Sequence, residues 1–460
     1  MRPPAGIVAA VALWVAGFGV SPSAQAQDVL TLDSALAWTL RRHPMALAAE
    51  AVEQRGVAEL QRARGAYDPT LRGSFDRKDY LGTEYFQYGQ GGVDWQSPYA
   101  FKVEGGREWA DGVFVNPERT VPDAGQAYLS VKLPLLQGLL TDKYRIDVEQ
   151  GELAIGRNRA AAEVIRNELR YDVAVAYAQW AFAKTQLAIY RATEDLLLDY
   201  LASTRELVAL GEKPAVDTLE ASIYLVDQRL TSQQAEVDVR VAAQELAALY
   251  FPLALSDVAP EGALDYLLPL LIANVTRNPE LARLRLEVAD LELERRLKRE
   301  YLKPQLDVGY SILGDGFELA PESEKVNDRN FLTRAYKVGA EFRYPLLNRR
   351  ARGDVALAEI KLAESGGKLE AKRQELVAKA EAYRDAVLAY EAQLRDVDDL
   401  IAQADRLLQA ERALFELGEG TQFLLNVRAQ SLQKARLTAN KLAFARAKAI
   451  ASYRQAVGVW

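Results

Sequence analysis

The 460-residue chain has no cysteine and a single histidine, His43. Without thiols there are no disulfides, no thiolate metal sites and no lipid-modified N-terminal cysteine. With one histidine and no cysteine, no Ser/His/Asp or Cys/His set can be assembled, so the sequence assigns no catalytic, cofactor-binding or metal-binding residue and reads as a non-enzyme. Positive charge is not in excess either. The formal net charge is −7 with both signs interspersed, which gives no footing for nucleic acid. Long apolar runs are also missing. After residue 26 no stretch reaches the ~18 to 20 apolar residues of a membrane-spanning helix, so any membrane crossing must be made of strands.

Residues 1–26 read as a secretory signal peptide. Arg2 supplies early positive charge, Ala5 to Val20 is almost wholly apolar, and Ala24-Gln25-Ala26 is an A-x-A cleavage site that leaves Gln27 as the new N-terminus. The mature chain is expected to be exported and held together by packing alone.

The rest is written twice. His43-Pro44 matches Asn278-Pro279, and Asp68-Pro69 matches Lys303-Pro304, with Pro279 and Pro304 each 235 positions after their partners. "LPLL" at 133–136 answers "YPLL" at 344–347, and "LG" at 210–211 answers "LG" at 417–418. Each half reads as helix, Pro, strand, loop, strand, Pro-Leu-Leu, very long helix, Leu-Gly turn, helix. The halves are 27–264, with strands near 70–78 and 126–134 and a helical hairpin at 140–250, and 265–460, with strands near 305–313 and 335–344 and a hairpin at 350–457.

The strands alternate. Leu129, Val131, Val308 and Phe342 fall on one face; Lys132, Asp307, Lys337, Glu341 and Arg343 fall on the other. Period two over ~9 to 11 residues fits a membrane β-barrel strand, apolar to lipid and polar to lumen, and equally a half-buried soluble sheet. The helices favour the first. Residues 146–210 and 352–417 contain no proline and would each span roughly 100 Å, which implies a rod or a tunnel. The shorter helices, at 31–66 and 265–302, can stack end to end with the return arms beside them. Four strands cannot close a barrel that needs about eight, so copies of the chain must pool their strands; three copies give twelve.

Two more segments invite a functional reading. "SGGK" at 365–368 looks like part of a phosphate loop but follows no strand, and a helix irregularity or close packing explains it better. The charge run at 292–300 reads as a solvated helix face with i,i+4 pairs. Asp217, with Glu220 three residues on, reads as the N-terminal cap of the helix after the first turn. His43 and Asn278, each before a proline, read as caps.

In "LTLDSALAWTLRRHP", "KLPLLQG", "FRYPLLNRR", the duplicated "LG" turns and the closing "YRQAVGVW", the chain resembles the TolC family of outer-membrane efflux proteins over essentially all of 28–460. The resemblance implies a mainly α fold with a small β part. Duplicated long helical hairpins would form a trans-periplasmic tunnel, and four strands per chain would join a trimeric 12-stranded membrane β-barrel. It implies an exit duct of a tripartite efflux or type I secretion system, located in the outer membrane with its helices in the periplasm. The partners would be two further copies, a periplasmic adaptor (membrane fusion) protein, an inner-membrane pump and outer-membrane lipid. Leu210, Gly211, Asp217, Glu220, Leu417, Gly418, Thr421 and Leu424 would lie at the periplasmic tip, where partners dock and the pore closes. The family often carries aspartates six and nine residues after the second turn glycine; here these are Leu424 and Val427, which puts an acidic constriction in doubt. Residues 80–123, rich in aromatics, are read as an enlarged extracellular loop in preference to an extension of the sheet through "AFKVEGG". The rival reading is a soluble periplasmic coiled-coil adaptor or spacer.

Overall fold

The computed structural model describes residues 29–249, 259–260, 275–314, 316, 335–417 and 419–460. The expected signal peptide and Gly418 lie outside them. After a two-residue strand, β1 (Val29–Leu30), come α1 (Leu32–Arg42) and α2 (Pro44–Arg64). The helix expected over 31–66 is thus broken in two, because Pro44 has no N–H to continue the ladder and starts a new helix instead. His43 caps that start: its Nδ1 accepts from the Met45 N–H at 3.1 Å. Asn278 does the same in the second half, accepting from the Glu280 N–H at 2.9 Å.

Four strands follow: β2 (Thr70–Tyr80), β3 (Thr83–Gln96), β4 (Lys102–Asp111) and β5 (Gln126–Pro134). The chain then enters α3 (Lys143–Ala209) and returns through α4 (Ala215–Ala248). A short β6 (Ala259–Pro260) pairs in parallel with β1. The second half runs α5 (Pro279–Glu300), β7 (Gln305–Leu313), β8 (Tyr336–Arg343), α6 (Arg349–Glu416) and α7 (Gln422–Val457). The two long helices hold 67 and 68 residues, so each is ~100 Å long at ~1.5 Å per residue.

The sheet order is β2-β3-β4-β5-β7-β8. Six strands stand where the repeat implied four. Residues 83–96 and 102–111 are sheet, not an extracellular loop. The turn between β2 and β3 is only two residues, Leu81 at φ 50° and Gly82 at φ 78°, a pairing that suits the twist of a hairpin and returns the chain at once. Between β3 and β4 the Ser97 N–H donates to the Phe101 carbonyl at 2.9 Å.

The short helices stack as the lengths require. Mid-way along α3, Val173, Tyr177 and Trp180 are buried against Leu32 and Ala35 of α1 and Ala242 and Leu246 of α4. The ends of the two arms therefore meet there. Tyr177 Oη donates to the Leu30 carbonyl at 2.8 Å, tying the start of the described chain to the core. In the second half Leu376 and Ala380 of α6 pack against Leu281 of α5 and Tyr453 and Ala456 of α7.

Two expectations change here. The charge run on α5 reaches across to both long helices rather than along its own face: Arg299 pairs with Glu359 at 2.7 Å, Lys361 with Glu294 at 3.5 Å, and Arg296 with Glu149. Gly366 and Gly367 lie inside an unbroken α6, and a Cβ built on either meets nothing within 4 Å. Neither a helix irregularity nor close packing within the chain accounts for them.

Candidate functional site

Two places gather the residues singled out from sequence: one face of the sheet, and the far end of the helical hairpins.

Residues directly opposite in antiparallel strands share a face, so register fixes the two sides. Val131 lies opposite Val103 and Tyr310, and Val103 lies opposite Trp95. Leu71 faces Val93, Tyr310 faces Val338, and Leu306 faces Phe342. These rows make one side apolar, and Arg77, Gln87, Arg107 and Asp111 interrupt that side only toward the end remote from the helices. On the other side Lys132 lies opposite Lys102 and Gly309, Asp307 opposite Glu341, Ser311 opposite Lys337, and Gln305 opposite Arg343. Lys132, Asp307, Lys337, Glu341 and Arg343 therefore all stand on the polar face.

That face carries residues that the alternation in β5, β7 and β8 did not reveal. A ladder of opposite charges crosses four strands. Arg72 meets Asp94 at 3.5 Å, Asp94 meets Lys102 at 3.2 Å, Lys102 meets Glu104 at 2.8 Å, and Glu104 meets Lys132 at 2.9 Å. The Arg72 guanidinium also donates to Tyr128 Oη at 3.1 Å, Tyr88 Oη donates to Glu108 at 2.8 Å, and Ser311 Oγ donates to Ser130 Oγ at 2.9 Å. A cavity of about 530 Å³ at the foot of this face is lined by Lys102, Lys132, Asp307 and Glu341, with Tyr144 of α3 below. Signal for β3 and β4 existed in "VDWQ" and "KVEG", but glycines interrupt the alternation. Gly91 and Gly92 pass Gly105 and Gly106 so closely that a Cβ at Gly92 would lie 2.6 Å from the Gly105 carbonyl oxygen.

At the other end, all four hairpin helices close on one cluster. Leu197, Tyr200 and Leu201 of α3, Ala221 and Leu225 of α4, Leu408 of α6, and Leu425, Ala429 and Leu432 of α7 are buried together. Thr204 Oγ1 donates to Gln422 Oε1 at 2.9 Å across the two hairpins. Burial pushes the Tyr200 hydroxyl up to about 12, so it stays neutral in this core. Both turns thus lie at the same tip, which is why the sequence writes the turn twice.

The first turn is a Schellman close. Leu210 is the last helical-φ residue and Gly211 follows at φ 79°. The Glu212 N–H donates to the Leu207 carbonyl at 2.9 Å and the Gly211 N–H to Val208 at 3.0 Å. The second turn repeats the longer bond, Glu419 N–H to the Leu414 carbonyl at 3.0 Å, after Leu417. Thr421 caps α7, its hydroxyl accepting from the Leu424 N–H at 3.3 Å. Asp217 is not the cap of α4. Pro214, extended at ψ 147°, takes that place without a side-chain bond, and Asp217 sits in the first turn. Its charge there opposes the positive end of the helix dipole, and Glu220 follows one turn on. Leu210 and Leu417 are exposed.

Among the described residues no group of three His, Cys, Asp or Glu side chains is placed to hold a metal ion, and no helix is long and apolar enough to cross a membrane.

No family model and no curated protein matches the sequence. Solved structures do. The outer-membrane protein VceC of Vibrio cholerae superposes with a TM-score of 0.67 at 14% identity, covering 93% of this chain and 96% of its own. The CmeC outer-membrane channel of Campylobacter jejuni gives 0.66 at 12% identity, covering 93% and 85%. The open state of the MtrE outer-membrane channel of Neisseria gonorrhoeae gives 0.63 at 13%, covering 93% and 89%. From its sheet to its paired helix tip, the chain has the fold of the TolC-like outer-membrane channels.

Proposed function

We propose that the protein is an outer-membrane exit duct, a passive trimeric channel that receives cargo from a periplasmic adaptor and an inner-membrane pump and releases it outside. One observation carries this reading: a single chain joins a two-faced sheet to paired ~100 Å hairpins that end at one tip. A membrane strand must satisfy its backbone in a closed sheet, and among the described residues this sheet ends in two open edges, β2 and β8. Neighbouring copies supply the missing partners. The apolar face then meets lipid, and the face bearing Lys132, Asp307, Lys337, Glu341 and Arg343 lines the lumen. The tip residues Leu210, Gly211, Asp217, Glu220, Leu417, Gly418, Thr421 and Leu424 form the contact with adaptor and pump and the gate. The two efflux repeats, 27–264 and 265–460, each contribute one wall segment and one hairpin. Cargo choice belongs to the pump.

The rival, a soluble adaptor or spacer, needs a sheet whose apolar side is covered by protein. Leu71 is 84% exposed, Phe342 65%, Val338 62% and Phe75 59%, too much apolar surface on one side for a water-bathed sheet. The purified protein in a planar lipid bilayer should produce discrete ion-conductance steps. Release from cells by osmotic shock without detergent, with no conductance in the bilayer, would support the rival and overturn the duct.

A further inference from the structure

We propose that the membrane wall built by this chain is an eighteen-stranded barrel, six strands from each of three copies, with β3 and β4 as full wall strands around a porin-width pore. This rests on the reading of the protein as a trimeric duct and departs from it in strand number and bore.

The inserted hairpin has the three properties of wall strands. It lies inside the sheet: β2 reaches β5 only through β3 and β4, so the hairpin cannot be lifted out as a surface loop without unzipping β2. It runs level with its neighbours. Trp95, Val103, Val131 and Tyr310 stand in one row, as do Asp94, Glu104, Ser130 and Ser311. It also obeys the two-sided pattern. Val93, Trp95 and Val103 extend the apolar face, while Asp94, Lys102 and Glu104 extend the polar one. Arg107, Gln87 and Asp111 break the apolar face at the end remote from the helices, where the Arg107 guanidinium donates to the Ala124 carbonyl of the loop. The ladder Arg72–Asp94–Lys102–Glu104–Lys132 then stitches the hairpin to β2 on one side and β5 on the other.

Bore follows from strand number. With strands ~4.8 Å apart and tilted ~40°, eighteen strands close at a backbone diameter of roughly 36 Å and twelve at about 24 Å. Barrels of 16 to 18 strands leave an aqueous channel. The alternating charges of the ladder keep that wall wet without giving it one dominant sign.

The absence of native cysteine allows a direct test. Single substitutions Asp94→Cys, Lys102→Cys, Val93→Cys and Val103→Cys, with Ser130→Cys and Val131→Cys on β5 as reference, are exposed in proteoliposomes to a charged, membrane-impermeant thiol reagent. Positions 94, 102 and 130 should label at least ten-fold faster than 93, 103 and 131. Equal labelling at all four hairpin positions, with positions 130 and 131 still alternating, would place the hairpin outside the wall and overturn the proposal while leaving the duct standing. Loss of alternation at 130 and 131 as well would overturn both. Where a variant fails to assemble, a strand count on the unmodified trimer by cryo-electron microscopy decides: eighteen supports the proposal and twelve overturns it.

Discussion

At the scale of single residues, facing is the property with the sharpest consequence. Val131 and Ser130 are neighbours in β5 and point to opposite sides of the sheet: Val131 lies opposite Val103 and Tyr310, Ser130 opposite Glu104 and Ser311. In the proposed barrel an arginine turned to lipid near the bilayer midplane costs ~2 to 4 kcal/mol, whereas the opposite face of the sheet already carries charge. Val131→Arg should therefore lower the amount of inserted protein much more than Ser130→Arg, read as surface-exposed protein at matched expression. Equal losses would show that the facing, or the barrel, is wrong. The polar positions 132, 307, 337, 341 and 343 were legible because β5, β7 and β8 alternate cleanly. Asp94, Lys102 and Glu104 were not, because the glycines that let β3 and β4 approach each other also remove the side chains whose alternation would reveal a strand. His43 and Asn278 were legible as caps because a following proline fixes where each helix begins.

The elements show where local chemistry wins and where it is overruled. The long helices, the hairpin turns and the stacked arms all follow from proline placement and helical periodicity. Pro44 split a helix that periodicity alone would have continued. Pro214, at φ −71° and ψ 147°, stands in the capping place expected for Asp217 and makes no side-chain cap bond. The turn itself yields a prediction. Gly211 sits at φ 79°, and a Cβ built there meets nothing within 4 Å in the chain, so the cost of a side chain within the chain is mainly backbone strain, about 1 to 3 kcal/mol. A β-branched residue bears most of it. Gly211→Val should distort the tip but leave the sheet, a helix length away, able to assemble. Trimer on an unboiled gel should stay near the wild-type level while export of cargo by the same cells falls. Export at the wild-type level, or trimer lost in step with export, would contradict a functional role for the tip. Gly418, the matching position in the second half, lies outside the described residues.

On the scale of the whole molecule, duplication explains the architecture. Each half supplies one long helix, shorter helices stacked end to end beside it and part of the sheet, and the hairpins of both halves close on a single apolar cluster. The repeat was legible from prolines and turns; the six-strand width of the sheet was not, because the extra hairpin has no counterpart in the second half for the repeat to reveal. A sheet with two open edges and an exposed apolar side has no stable place in a membrane as one chain. Its assembly is therefore the point on which everything else rests. The most direct measurement is the molar mass of the purified protein in mild detergent by light scattering, with the detergent contribution subtracted. The expected result is a single species of three chains, resistant to further detergent. A monodisperse monomer would contradict the account.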